Sequence, residues 1–206
     1  MIKVMAALNV AVSCLGNHDL DFGVAKMKDL TARTAPTKWL LSNLYVDGKP
    51  IGDLDTFYVQ EVPLSSGETT LKIGFFGLAG PDWVDQLNPL VTEELQYIDY
   101  VEKGRELSKM LRSAPYNCDL IIALTHMRVP KDRHLAAEVP EIDFILGGHD
   151  HLYVNEVDST TGAVLIKSGT DFEEFSNFDV FFNTSLEDYE LAKTEDTELT
   201  KHLYSP

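Results

Sequence analysis

The sequence predicts an α/β fold with antiparallel additions, and three observations predict it. Helix and strand patterns alternate through the middle of the chain. One strand there, over 118–124, is apolar without a break at its centre, the pattern of a sheet covered on both faces. Towards both ends, several strand patterns follow one another with no helix between them. The 206 residues, 44% of them hydrophobic, are enough for one domain with a sizeable core.

Taken in order, Met1, Val4, Met5 and Leu8 recur at helical spacing, so the chain opens on a helix. It feeds a strand over 10–15, which is short, apolar and partly β-branched. The turn Gly16-Asn17-His18-Asp19-Leu20-Asp21-Phe22-Gly23 leaves that strand, and a helix over 24–33 follows. A second strand over 38–43 ends in polar residues, and Asp47-Gly48-Lys49-Pro50 is a turn. Strands over 57–62 and 71–78 flank a turn at 65–68. Ala79-Gly80-Pro81-Asp82 closes the second of them, with a loop up to Asn88-Pro89. The clearest helix spans 97–112, where Tyr97, Val101, Gly104, Leu107 and Leu111 share a face, and Pro115 and Asn117 end it. Strand 118–124 then runs into Thr125-His126-Met127-Arg128. A short helix over 130–138 stops at Pro140, and strand 142–146 runs straight into Gly147-Gly148-His149-Asp150-His151. Further strands are predicted over 154–157, 163–168 and 178–182, with Thr161-Gly162 as a hairpin turn. No repeat or linker divides the chain, so residues 1–185 form one core and 186–206 an acidic edge strand or tail.

Charge narrows the function. With 17 Lys and Arg against 33 Asp and Glu, the net charge is −16. That argues against a nucleic-acid surface, which needs clustered basic residues. It leaves room for a small phosphorylated substrate, because a bound divalent metal inverts the local field. No run of about 18 apolar residues predicts a membrane span. Residues 1–15 lack the basic start and small-residue cleavage site of a secretory signal. Cys14 and Cys118 lie in apolar runs and read as buried thiols rather than a disulfide framework. No protein partner is identifiable.

Four of the six histidines, His18, His126, His149 and His151, lie just after apolar strands; His134 and His202 sit in polar surroundings and read as solvated. Neutral imidazole is the commonest metal ligand, and Asn and Asp add oxygen donors. Strand alternation places His149 and His151 on one side and Asp150 on the other. A single histidine at a strand end is usually a hydrogen-bonded structural group. Three such strand ends together predict a metal site.

In their order, Gly16-Asn17-His18-Asp19, Thr125-His126 and Gly147-Gly148-His149-Asp150-His151 resemble the calcineurin-like metallophosphoesterases, whose motifs read G-N-H-[DE], [ST]-H and G-H-x-H. Leu20-Asp21-Phe22-Gly23 and Thr125-His126-Met127-Arg128 look most like the 5′-nucleotidase branch, and the resemblance covers residues 1–183. It implies a four-layer α/β-β/α sandwich with two divalent metals (Mn, Zn, Fe or similar) near the top of the two sheets. The implied activity is metal-dependent hydrolysis of a phosphomonoester, on a nucleotide or another small phosphorylated metabolite. The resemblance gives Asn17, His126 and His149 to the second metal and His151 to the first. It gives His18 to the phosphate or the leaving-group oxygen, with Asp21 orienting and charge-stabilising His18. Two metals together would acidify a bridging water and stabilise an in-line displacement.

The chain departs from the family in one respect. The family opens with a strand bearing D-x-H and a second ending in G-D, yet residues 1–15 hold no Asp, Glu or His. The expectation is therefore a chain truncated at its N-terminus, missing its first strands and holding as few as one metal. The expectation extends to the C-terminal substrate-recognition domain that many 5′-nucleotidases carry, which this chain would also lack. The alternative function is a degenerate, non-catalytic phosphoesterase-fold binding protein. A nuclease of the same superfamily is disfavoured by the charge. Among nearby residues, Asp19 reads as supporting and Asp150 as pointing away from metal. Arg128 reads as a surface ion pair rather than a phosphate ligand, and Trp39, Trp83, Phe172 and Phe175 read as packing.

Overall fold

The structure is a computed structural model that describes residues 2–63, 70–84, 87 and 95–180. Its centre is a six-stranded mixed sheet with the spatial order Tyr153–Val157, Val164–Ser168, Phe144–His149, Leu120–Met127, Thr70–Ala79, Phe57–Pro63. The inner strands β6 (Thr70–Ala79), β8 (Leu120–Met127), β9 (Phe144–His149) and β11 (Val164–Ser168) run parallel. The edge strands β5 (Phe57–Pro63) and β10 (Tyr153–Val157) pair antiparallel. Helix α4 (Tyr100–Arg112) crosses from β6 to β8, and α5 (Val129–Glu138) from β8 to β9. Parallel strands need such crossovers, and each helix brings an apolar stripe back onto the sheet. Leu107, Leu111, Leu135, Ala136 and Val139 accordingly pack with Phe76, Leu78, Ile121, Ala123, Ile145 and Leu165 in one core.

Alternate residues face the other way: Leu120, Ile122, Phe144 and Ile166 form a second cluster, with Phe178 and Val180 packed against it. On this face lies a parallel pair, β1 (Val12–Cys14) and β2 (Lys38–Leu40). The contact with the large sheet is made at Gly77. Its carbonyl accepts from the Ser42 N–H at 2.8 Å, and its N–H donates to Ser42 Oγ at 3.0 Å. A Cβ there would lie 2.6 Å from the Leu40 carbonyl oxygen and 3.1 Å from Cys14 Sγ, so only glycine permits the two sheets to approach. Helix α1 (Ile2–Leu8) precedes β1, and α2 (Val24–Ala32) follows it. Met27 of α2 shares a third core cluster with Leu15, Leu20, Leu41, Leu44, Ile51 and Trp83. A small sheet, β4 (Lys49–Pro50), β3 (Leu44–Val46) and β7 (Leu95–Tyr97), completes the strands, with α3 (Pro81–Val84) beside it in sequence. Helices, six-stranded sheet, strand pair and helix stack in the order of an α/β-β/α sandwich.

Several expectations need correction. The helix predicted from Tyr97 begins at Tyr100, because Asp99 caps it by accepting from the Val101 and Glu102 N–H groups; Tyr97 instead pairs with Leu44 in β7. The stretch after Ala79 holds the one-turn helix α3, with Pro81 at its first position, where no N–H is needed. The turn at Asp47-Gly48 is a two-residue hairpin with positive φ at both residues, and β3 before it was not predicted. His126 and His149 fall inside the ends of β8 and β9 rather than beyond them. Residues 178–180 are not strand. The turn at 65–68, Asn88-Pro89, residues 181–182, the segment 186–206 and His202 lie outside the described residues. Both cysteines are free, and burial pushes the Cys14 thiol up to about 12, which makes it unreactive. Among the described residues no helix is long and apolar enough to cross a membrane.

Candidate functional site

Strands β8 and β9 are neighbours, in a register that sets His126 beside Gly148 and Met127 beside His149. The two imidazoles are therefore held at adjacent strand ends. His126 Nε2 lies 3.2 Å from His149 Nδ1, with ring centroids 4.9 Å apart. Asn17 reaches the same atom from the turn after β1, its Oδ1 2.8 Å from His126 Nε2. Three predicted ligand residues thus converge from three separate segments of chain. Glycines make the approach possible. A Cβ on Gly16 would stand 2.9 Å from His126 Cε1, and one on Gly148 3.4 Å from His126 Nδ1.

The environment keeps both rings neutral. Burial pushes His126 down to about 4, helped by the nearby His149 and Lys167. Burial also lowers His149. Neutral imidazole is the form that binds metal. Trp83 fixes the backbone here: its Nε1–H donates to the His126 carbonyl at 2.7 Å, and its ring meets the imidazole edge-on at 5.9 Å between centroids. Trp83 is thus packed, as expected, and also a support of the site. Asp82 was not predicted. Its Oδ2 lies 3.6 Å from His149 Nε2 and 3.1 Å from Arg128 Nε, and its Oδ1 lies 3.2 Å from Lys131 Nζ. Partial burial works against the Asp82 carboxylate, but its own backbone N–H and Lys131 hold it below the usual range. Arg128 is accordingly the ion pair expected, with its side chain 55% exposed.

His18 and Asp21 form the second half of the site. His18 Nδ1 is 3.0 Å from Asp21 Oδ2, in a turn of 3-10 helix at Asn17–Leu20. The His18 side chain is 86% exposed, so one turn points Asn17 at His126 and His18 at solvent. Asp19 closes the turn by accepting from the Gly16 N–H at 2.8 Å, the supporting role expected of it. Asp150 also behaves as expected: it faces away from the imidazoles and accepts from the Val129 N–H and Lys167 Nζ, both at 2.7 Å. His151 does not join the Asn17–His126–His149 group. The backbone has positive φ at His149 (87°) and at His151 (56°), so strand alternation ends and His151 stands exposed. Phe172 and Phe175 do not pack either: they are 73% and 54% exposed, as is Phe22 at 82%.

The donor set decides what it fits. Asn17 Oδ1 and His149 Nδ1 lie 2.8 and 3.2 Å from His126 Nε2, a set of uncharged oxygen and nitrogen donors of the kind that could hold a divalent cation. Among the described residues no three His, Cys, Asp or Glu side chains form a metal-binding group.

Residues 2–153 match the model of the calcineurin-like phosphoesterase family. A snake venom 5′-nucleotidase from Gloydius brevicauda is 24% identical over 155 residues, covering 75% of this chain and 25% of the relative. An apyrase from Aedes aegypti is 29% identical over 159 residues, covering 74% and 26%. The chain thus spans about a quarter of the length of these curated relatives. The crystal structure of the calcineurin-like phosphoesterase YfkN from Bacillus subtilis superposes with a TM-score of 0.79 at 20% identity, covering 93% of this chain and 64% of the other. The chain belongs to the calcineurin-like phosphoesterase family.

Proposed function

We propose that this chain supports metal-dependent hydrolysis of a phosphomonoester, with a nucleotide or another small phosphorylated metabolite as substrate. The observation that carries the reading is the convergence of Asn17, His126 and His149 next to an exposed His18–Asp21 pair. The 5′-nucleotidase named above supports the substrate class, and the net charge of −16 weighs against a polynucleotide.

In this reading Asn17, His126 and His149 hold a divalent cation, which supplies Lewis-acid polarisation of a phosphoryl oxygen when bound. The protein provides the rest. Asp21 accepts the Nδ1–H of His18, which fixes the ring and leaves Nε2 turned to solvent. From there Nε2–H donates to the phosphate or hands a proton to the departing alkoxide, and the Asp21 charge stabilises the imidazolium before transfer. Trp83 and Gly16 hold His126 in place from its carbonyl and its ring face. His151, exposed beside this group, is assigned to a second cation whose other donors are not among the described residues.

The test is release of inorganic phosphate from adenosine 5′-monophosphate and p-nitrophenyl phosphate, with and without added Mn²⁺ or Zn²⁺. Metal-dependent release that disappears in His126→Ala is the expected result. No release with either metal, or release unchanged in His126→Ala, overturns the reading.

A further inference from the structure

Lys167 lies on β11, one strand beyond β9, and is 1% exposed. A buried ammonium has three protons to place and a charge to neutralise. Its Nζ donates to the Met127 carbonyl at 2.7 Å, the Gly148 carbonyl at 2.8 Å and Asp150 Oδ1 at 2.7 Å. Asp132 Oδ2 lies 2.8 Å away as a second carboxylate partner. Met127 follows His126, and Gly148 precedes His149. One ammonium therefore holds the peptide next to each of the two imidazoles. Its partners extend the hold: Asp132 Oδ1 accepts from Thr125 Oγ at 2.6 Å, one residue before His126, and Asp150 Oδ2 accepts from the Val129 N–H. Residues 125, 127, 129, 148 and 150 are all tied to the network, and they flank His126 and His149.

Packing alone does not explain the residue. A buried ion group is commonly replaced by apolar side chains of similar volume with no loss of stability. This chain instead keeps a glycine to house the lysine: a Cβ on Gly147 would lie 2.7 Å from Lys167 Cε.

We propose that Lys167, which touches no reacting group, is a positioning residue that sets the spacing and orientation of His126 and His149. The inference rests on the reading above only for its metal probe. The test uses Lys167→Met and Lys167→Met with Asp132→Asn. The double variant keeps the net charge of −1 that one ammonium and two carboxylates give. Asp150→Asn removes one anchor of the ammonium and is the milder third variant. Leu111→Ala, on the core-facing side of α4, serves as a destabilised control.

In metal-free protein, ring carbon–proton NMR signals of His126 and His149 are expected to move in whichever variants fold, while those of His18, His134 and His151 stay. Co²⁺ affinity is expected to fall at least about tenfold in the same variants, as it does when groups behind metal ligands are removed, and to hold in Leu111→Ala. A folded variant with wild-type His126 and His149 signals overturns the proposal. A wild-type chain that binds no Co²⁺ sinks the proposed function instead and leaves the NMR comparison to decide Lys167.

Discussion

The two halves of the site are built to different standards. His126 and His149 sit at the ends of β8 and β9, and β8 is paired on both sides, by β6 and β9. Beneath them lies the buried Lys167–Asp132–Asp150 group. His18 rides on a turn that follows a three-residue strand, and one hydrogen bond to Asp21 orients its exposed ring. In the proposed function His126 and His149 are metal ligands, which lose affinity when they shift by a fraction of an ångström and so belong on a stiff frame. A proton donor must reach a substrate that enters from water, and an exposed turn allows that.

The sharpest way to test the contrast is His18→Ala. Phosphate release should fall about 10²- to 10⁴-fold, the usual share of general acid catalysis, while the unfolding free energy changes by no more than about 0.5 kcal/mol, as for an exposed side chain. A large loss of stability would erase the distinction between the halves. The stiff half should answer to pH instead. Burial raises Asp132 to about 6 from 3.8, against the pull of Lys167. The folded chain then binds more protons than the unfolded one between those values, so this contribution to stability is greatest below the window and declines as pH rises through it. Chemical denaturation of wild type and Asp132→Asn at pH 4 and pH 7 should show the wild type losing ground at pH 7 by on the order of 2–3 kcal/mol.

Gly16 sits where the halves meet. Gly16→Ala places a methyl 2.9 Å from His126 Cε1 and should weaken Co²⁺ binding by about 1–2 kcal/mol, measured by titration, with the His18–Asp21 contact intact. Trp83→Phe is the mildest change. It deletes the 2.7 Å hydrogen bond to the His126 carbonyl and should cost about 1 kcal/mol of stability, with a smaller effect on Co²⁺ affinity.

Much of this was legible in the sequence where chemistry and pattern coincide. Apolar runs ended by glycine located β1 and β9, an apolar run ended by Thr125-His126 located β8, and the residues at these ends named Asn17, His126 and His149 as candidates. The order of the helices around 100–112 and 129–138 followed from their periodicity and from Pro115 and Pro140. What stayed hidden depends on partners distant in sequence. Asp82 reads as a turn residue until Arg128, Lys131 and His149 are brought to it. Lys167 reads as an ordinary strand residue, although a lysine between Ile166 and Ser168 in an apolar strand already asks where its charge goes. The backbone at His151 was hidden because strand alternation does not carry past the end of β9 into left-handed backbone. Phe172 and Phe175 were misplaced for a related reason: positive φ at Asp171 and Phe172 turns that loop outward.

The gap left by Gly77 has its own consequence. Any larger residue there acts as a shim under the β1–β2 pair, because the Leu40 carbonyl and Cys14 Sγ lie directly against it. Asn17 stands three residues past Cys14, so lifting that pair moves the amide oxygen while both imidazoles, rooted in the lower sheet, stay put. Sheet clearance at one position outside the donor set thereby governs whether two donors or three meet at the same point.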